Sequence, residues 1–206
     1  MYTMNDFSIS MALVDFIPVL LFGQAVTILM RDLYDKMSKT SFALFAAGSI
    51  NVFSAGFLKA AWKLLYAAGI CDFTALDTMF FPVQSIGFLL AGVGIIVMFV
   101  NRRSTILAVA PPVFSGTFLF VGLMVAGLGC MNGGLCYIAG KMKKRLAIAC
   151  FVFAFLCSLC MGYLSSQDFT SSFMNWLAQI INVFGQGSFL TGVLLLDKAG
   201  LKNFAF

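Results

Sequence analysis

The chain has 206 residues, 61% of them hydrophobic and 10% charged, with 24 Phe, 19 Gly, 12 Met and a net charge of +5. A soluble domain is about 45–50% apolar and about 25% charged, so the composition excludes a water-soluble fold. It predicts an all-α, polytopic helical membrane bundle forming a single integral membrane domain over residues 1–206.

A bilayer core of about 30 Å needs about 20 apolar residues per helix. Clear spans run over Met11–Met30, Ser41–Trp62, Met79–Val100, Leu146–Leu164 and Phe173–Leu196. The stretch Ser104–Gly140 reads either as one long span, giving six segments, or as a short or broken hairpin, giving seven. Charge favours the hairpin. With one span, Arg102 and Arg103 face one side and the run Lys141, Lys143, Lys144 and Arg145 faces the other, against the positive-inside bias. With two, eleven of the 13 basic residues share one side: Arg31, Lys36, Lys39, Arg102, Arg103, the basic run, Lys198 and Lys202. Asp6, Asp72, Asp77 and Asp168 then lie on the other, with Asp15 near them. The expectation is seven segments in a plasma or inner membrane, N-terminus outside and C-terminus cytoplasmic.

The aromatics agree with the five clear spans. Trp and Tyr favour the membrane interfaces; Trp62, Tyr66, Tyr163 and Trp176 fall near the outer surface, and Tyr34 and Tyr137 near the inner one. The hairpin is tight. Pro111–Pro112 falls in its first arm, where proline removes a backbone donor, and Ser115-Gly116-Thr117 is the strongest local turn signal. Segments one to three and five to seven suggest a 3+1+3 repeat. Lys36-Met37 has a counterpart in Lys141-Met142, and the run from Gln84 to Leu89 resembles that from Gln186 to Leu190.

The most specific polar signal is in the last segment. Asn175, Gln179, Asn182 and Gln186 are spaced four, three and four, which is one face of a helix. Carboxamides in contact with lipid leave donors and acceptors unpaired, so the stripe faces other helices, as interhelical glue, or water, as a cavity wall. Gln84 and Asn51 are placed to face it, and Gln24 is a further isolated amide. Lys59 and Lys63 are the two cations on the acidic side. Lys63 reads as snorkelling outward. Lys59 lies deeper, and intramembrane ionisable residues usually face the bundle interior. Asp15 and Asp77 are its candidate partners, and an Asp15–Lys59 pair is the leading charge-sensitive element. The expected ligand-binding set is therefore Asn175, Gln179, Asn182, Gln186, Gln84, Asn51, Lys59 and Asp15.

Catalysis is poorly supported. The chain has no His and no Glu, and it contains no HExxH, GxSxG or P-loop motif. No lysine lies mid-span in the last segment to form a retinal Schiff base. The six cysteines read as small packing residues rather than metal ligands, and no cofactor is expected. The glycines of segments three to five read mainly as close-packing positions, with Gly129–Gly134 as a candidate break.

The leading expectation is a non-enzymatic protein that binds or transports a small neutral or zwitterionic solute through a polar cavity between helices. The alternative is a non-transporting sensor or assembly subunit. A solute protein places the amide stripe inside the bundle; a subunit places it on the outside, against a partner helix. Expected partners are membrane lipid, the solute, and a second copy or partner subunit. Nucleic acid is excluded because the basic residues are distributed as orientation signals.

Overall fold

A computed structural model describes residues 8–100, 117–164 and 172–205. All regular structure among them is helical: α1 (Ile9–Val14), α2 (Phe16–Leu33), α3 (Lys39–Ala67), α4 (Ala75–Thr78), α5 (Phe80–Val100), α6 (Thr117–Lys141), α7 (Arg145–Leu164) and α8 (Ser172–Lys198), with single 3-10 turns at Tyr34–Lys36 and Leu201–Asn203. Six helical stretches are long and apolar enough to cross a membrane, as in a multi-pass membrane protein. The six apolar runs set these lengths, and local chemistry sets the ends. Ser8 and Ser38 cap α1 and α3 by accepting from the amides of Met11 and Ser41, each at 3.2 Å. The turn after α8 closes at Gly200, whose φ of 83° is a left-handed conformation suited to glycine.

The long helices close into a ring in the order α2, α3, α5, α6, α7, α8 and back to α2. Named contacts fix their directions. Ser41 Oγ donates to the Gly94 carbonyl at 2.6 Å, so the start of α3 lies beside the lower half of α5. Ser188 Oγ donates to the Cys150 carbonyl at 3.1 Å, pairing α8 and α7 antiparallel. By contrast, α5 and α6 run parallel. Phe81 meets Phe120 near their starts, with ring centroids 6.5 Å apart, and Phe99 meets Tyr137 near their ends, at 4.9 Å. Between these pairs the backbones nearly touch: a Cβ at Gly127 would strike the Phe88 carbonyl. The pair α2 and α8 is parallel too. Gln179 reaches Met11 at one end, Phe22 stacks on Phe189 midway, and Arg31 pairs with Asp197 at the other end.

Two chemically distinct ends follow. Arg31, Lys36, Lys39, Lys141, Lys143, Lys144, Arg145, Lys198 and Lys202 share one end, where Arg31 bridges Asp32 and Asp197 and the Lys36 amine donates to the Lys202 and Phe204 carbonyls. Asp15, Asp72 and Asp77 lie at the other. The half of the bundle beneath the basic end is filled by buried Leu29, Leu33, Ile95, Leu135, Ile138, Val193 and Leu196. Outward faces are apolar as well: Leu20 is 59% exposed and Phe184 64%. Water would make that costly, whereas lipid accepts it.

The expected spans fit these helices, with one difference inside them: Gly129–Gly134 is uninterrupted helix within α6. Trp62 lies at the acidic-side end of α3, the depth expected of it, and turns inward to pack with Met11. The first arm of the expected hairpin, with Arg102, Arg103 and Pro111–Pro112, lies outside the described residues. So do Asp6 and Asp168.

Candidate functional site

Pro18 and Pro82 lie in the first turns of α2 and α5. Each leaves the carbonyl four residues back, on Val14 or Thr78, without a helical donor. The helical run is interrupted just after each of these carbonyls, at Asp15 between α1 and α2 and at Met79 between α4 and α5. These interruptions hold Asp15 and Asp77 against the acidic-side end of α3. There Lys59 and Lys63, one turn apart on the same helix face, meet them. Lys63 Nζ lies 2.5 Å from Asp15 Oδ2, and Lys59 Nζ lies 3.5 Å from Asp77 Oδ1. The Lys59 amine also sits 4.1 Å from the centre of the Phe80 ring. Beside them the Trp62 indole donates to Asp72 at 3.1 Å, fixing the link between α3 and α4.

These four charges line the acidic-side end of a cavity of about 370 Å³ inside the ring, to which α2, α3, α5, α6, α7 and α8 all contribute. Small-molecule sites typically hold about 300–1,000 Å³. One wall is the amide stripe: Asn175, Gln179, Asn182 and Gln186 all line the space, and Gln84 of α5 lines it as well. From Asn175 to Gln186 the stripe runs about 16 Å along α8 at roughly 1.5 Å per residue. The floor is apolar, made by Phe22, Val52, Phe88, Met124 and Leu128. Gln179 is 5% exposed; its Nε2 donates to the Met11 carbonyl at 3.1 Å, while its Oε1 is buried with no hydrogen-bond partner among the described residues. A buried acceptor of this kind costs about 1–3 kcal/mol unless something meets it.

Seven of the eight residues singled out in the sequence therefore line one space; Asn51, half-buried on α3, does not. Lys59 meets Asp77, one of its two expected partners, while the expected Asp15–Lys59 contact is not formed. Asp15 takes Lys63, and Lys59 takes Asp77, because the break before α2 brings Asp15 level with the last full turn of α3. Lys63 thus belongs to the site rather than to the outer surface, with 15% of its side chain exposed. Its signal in the sequence was the four-residue spacing from Lys59. Ser158 and Met161 of α7 complete the lining and carried no signal. Among the described residues no three His, Cys, Asp or Glu side chains converge to hold a metal ion. Comparison with known protein families, with characterised proteins and with solved structures gave no match.

Proposed function

We propose that this protein binds a small neutral or zwitterionic solute in the central cavity and passes it across a membrane, without catalysing a reaction on it. The carrying observation is that Asn175, Gln179, Asn182 and Gln186 all line the cavity, together with Gln84 of α5. Glue between helices pairs its amides. A solute wall turns its amide-bearing face toward a cavity, as this stripe does. The sensor or assembly-subunit reading calls for the stripe on the outer surface, where α8 instead presents Ile180 and Phe184.

The finer topology belongs to the same proposal. Because α5 and α6 run parallel, Val100 and Thr117 lie at opposite ends of the bundle, and residues 101–116 connect them. We take this connection as the seventh crossing. The triplets α2-α3-α5 and α6-α7-α8 then repeat the same sequence of directions, and the parallel contacts α5–α6 and α8–α2 join one triplet to the other twice. This arrangement favours a parallel repeat of the kind found in transporters. The cationic end faces the cytoplasm by the positive-inside bias, so the cavity opens outward.

The test is water access. In a variant with Cys71 and Cys160 changed to Ser, Gln179→Cys should react with a membrane-impermeant thiol reagent from the acidic side only. Ile180→Cys, on the lipid face, should not. Protection of Gln179→Cys from both sides would refute a solute cavity and leave packing as the role of the stripe.

A further inference from the structure

The cavity is layered, and the layers narrow the solute. At the acidic-side end, Lys59 and Lys63 face Asp77 and Asp15, two charges of each sign drawn from three chain segments. Their sum is zero. A ligand with a net charge would unbalance this partly buried set, and an uncompensated charge is costly away from water. A neutral ligand without charges would leave both pairs closed above it. A zwitterion does neither: its anionic group takes a lysine and its cationic group the aspartate released, so charge stays matched throughout. The pairs are unequal in a way that suits this exchange. Lys63–Asp15 is tight at 2.5 Å, whereas Lys59–Asp77 is loose at 3.5 Å and its amine is shared with the Phe80 ring.

The opposite pole is apolar. Phe22 and Phe88 meet edge to face with centroids 6.0 Å apart, and Val52, Met124 and Leu128 complete a floor without charge. Between the poles the amides of Gln84, Gln179 and Asn182 offer both donors and acceptors. A polyol would satisfy those amides but would set hydroxyls against the floor.

We infer that the cavity takes a zwitterion bearing an apolar side group, such as a free aromatic or branched-chain amino acid, with its charged end at Lys59 and Asp77 and its apolar group on the Phe22–Phe88 floor. The inference rests on the solute reading above.

The experiment uses the full chain purified in detergent and titrated calorimetrically with L-phenylalanine, L-leucine, glycine, N-acetyl-L-phenylalanine and sorbitol. Phenylalanine or leucine binds. Glycine, lacking the apolar group, binds roughly ten- to hundredfold more weakly, the equivalent of one buried side chain. The N-acetyl derivative, lacking the cation, loses at least about tenfold. Lys59→Met with Asp77→Leu, which removes both charges of the looser pair together, abolishes the preference for phenylalanine over its N-acetyl derivative. Equal affinity for glycine and phenylalanine overturns the inference, as does equal affinity for phenylalanine and its N-acetyl derivative. Binding of sorbitol alone overturns it while leaving a solute cavity intact. If no probe binds, the inference falls, and labelling of Gln179→Cys decides the wider reading separately.

Discussion

Gln179→Leu separates a wet cavity from a dry contact by the sign of one measurement. The substitution nearly conserves volume but deletes two polar atoms with different histories. The Nε2 bond to the Met11 carbonyl is lost, yet that carbonyl still accepts from the Asp15 amide at 3.2 Å, so it is not orphaned. The loss then costs about 0.5–1.5 kcal/mol. The Oε1 atom has no partner among the described residues. In a dry site, removing it returns about 1–3 kcal/mol, and the leucine variant matches or exceeds the parent in stability. In a water-filled site Oε1 is hydrated, nothing is returned, and the variant is less stable by about 0.5–1.5 kcal/mol. The cavity reading predicts the second outcome, together with a two- to tenfold loss of affinity for any solute bound there. Thermal unfolding in detergent, with and without ligand, measures both, and Ile180→Ala on the lipid-facing side serves as the control. A clear gain in stability for Gln179→Leu would refute the argument that the stripe meets water.

Cysteines placed at Lys39 and Lys143 should label from the same side of the membrane, and one at Tyr163 from the opposite side; opposite accessibility of the first two would break the parallel α5–α6 arrangement. Asp15→Asn should destabilise by about 3–5 kcal/mol because it leaves Lys63 charged and largely buried, whereas Asp15→Leu combined with Lys63→Met should recover most of that loss, as apolar replacement of buried pairs does; thermal melts of the singles and the double give the comparison. Gly127→Leu should abolish folding or expression, since its Cβ would meet the Phe88 and Leu89 backbone, while Gly133→Ala, with nothing within 4 Å, should be tolerated. Ser41→Ala should cost about 0.6 kcal/mol, the average for a hydrogen bond between membrane helices, read from the shift in melting temperature.

The fold was legible where one helix carries its own signal. The apolar runs predict the helices because lipid tolerates nothing else for that length. The spacing of Asn175, Gln179, Asn182 and Gln186 predicts a shared face whatever the neighbours are. The grouping of charge was legible as well: the basic run shares one end of the bundle with Arg31 and Lys198 among the described residues. What failed depends on two helices at once. Whether Asp15 meets Lys59 or Lys63 turns on the axial stagger of α2 against α3, and that stagger is set by Gly56 against Val19 and Gly23 against Phe53. Asn51 is as polar as Gln84, but its angular position on α3 leaves it outside the lining, and no period within one helix reports the direction of the ring's centre. Trp62 keeps its expected depth at the acidic-side end of α3, and what the sequence left open was its facing: a partner at Asp72 lets the indole turn inward.

The balance of charge at the acidic-side end of the cavity has an electrical meaning. Moving one elementary charge through 100 mV involves about 2.3 kcal/mol. If the chain carries a solute as proposed, the two lysines and two aspartates, held within a narrow slice of the bundle, leave no net charge among them for a voltage to pull on as that slice moves. A solute that is itself neutral overall adds none. On the proposed reading, transit of such a solute alone is electrically silent, and the membrane potential neither drives nor opposes it.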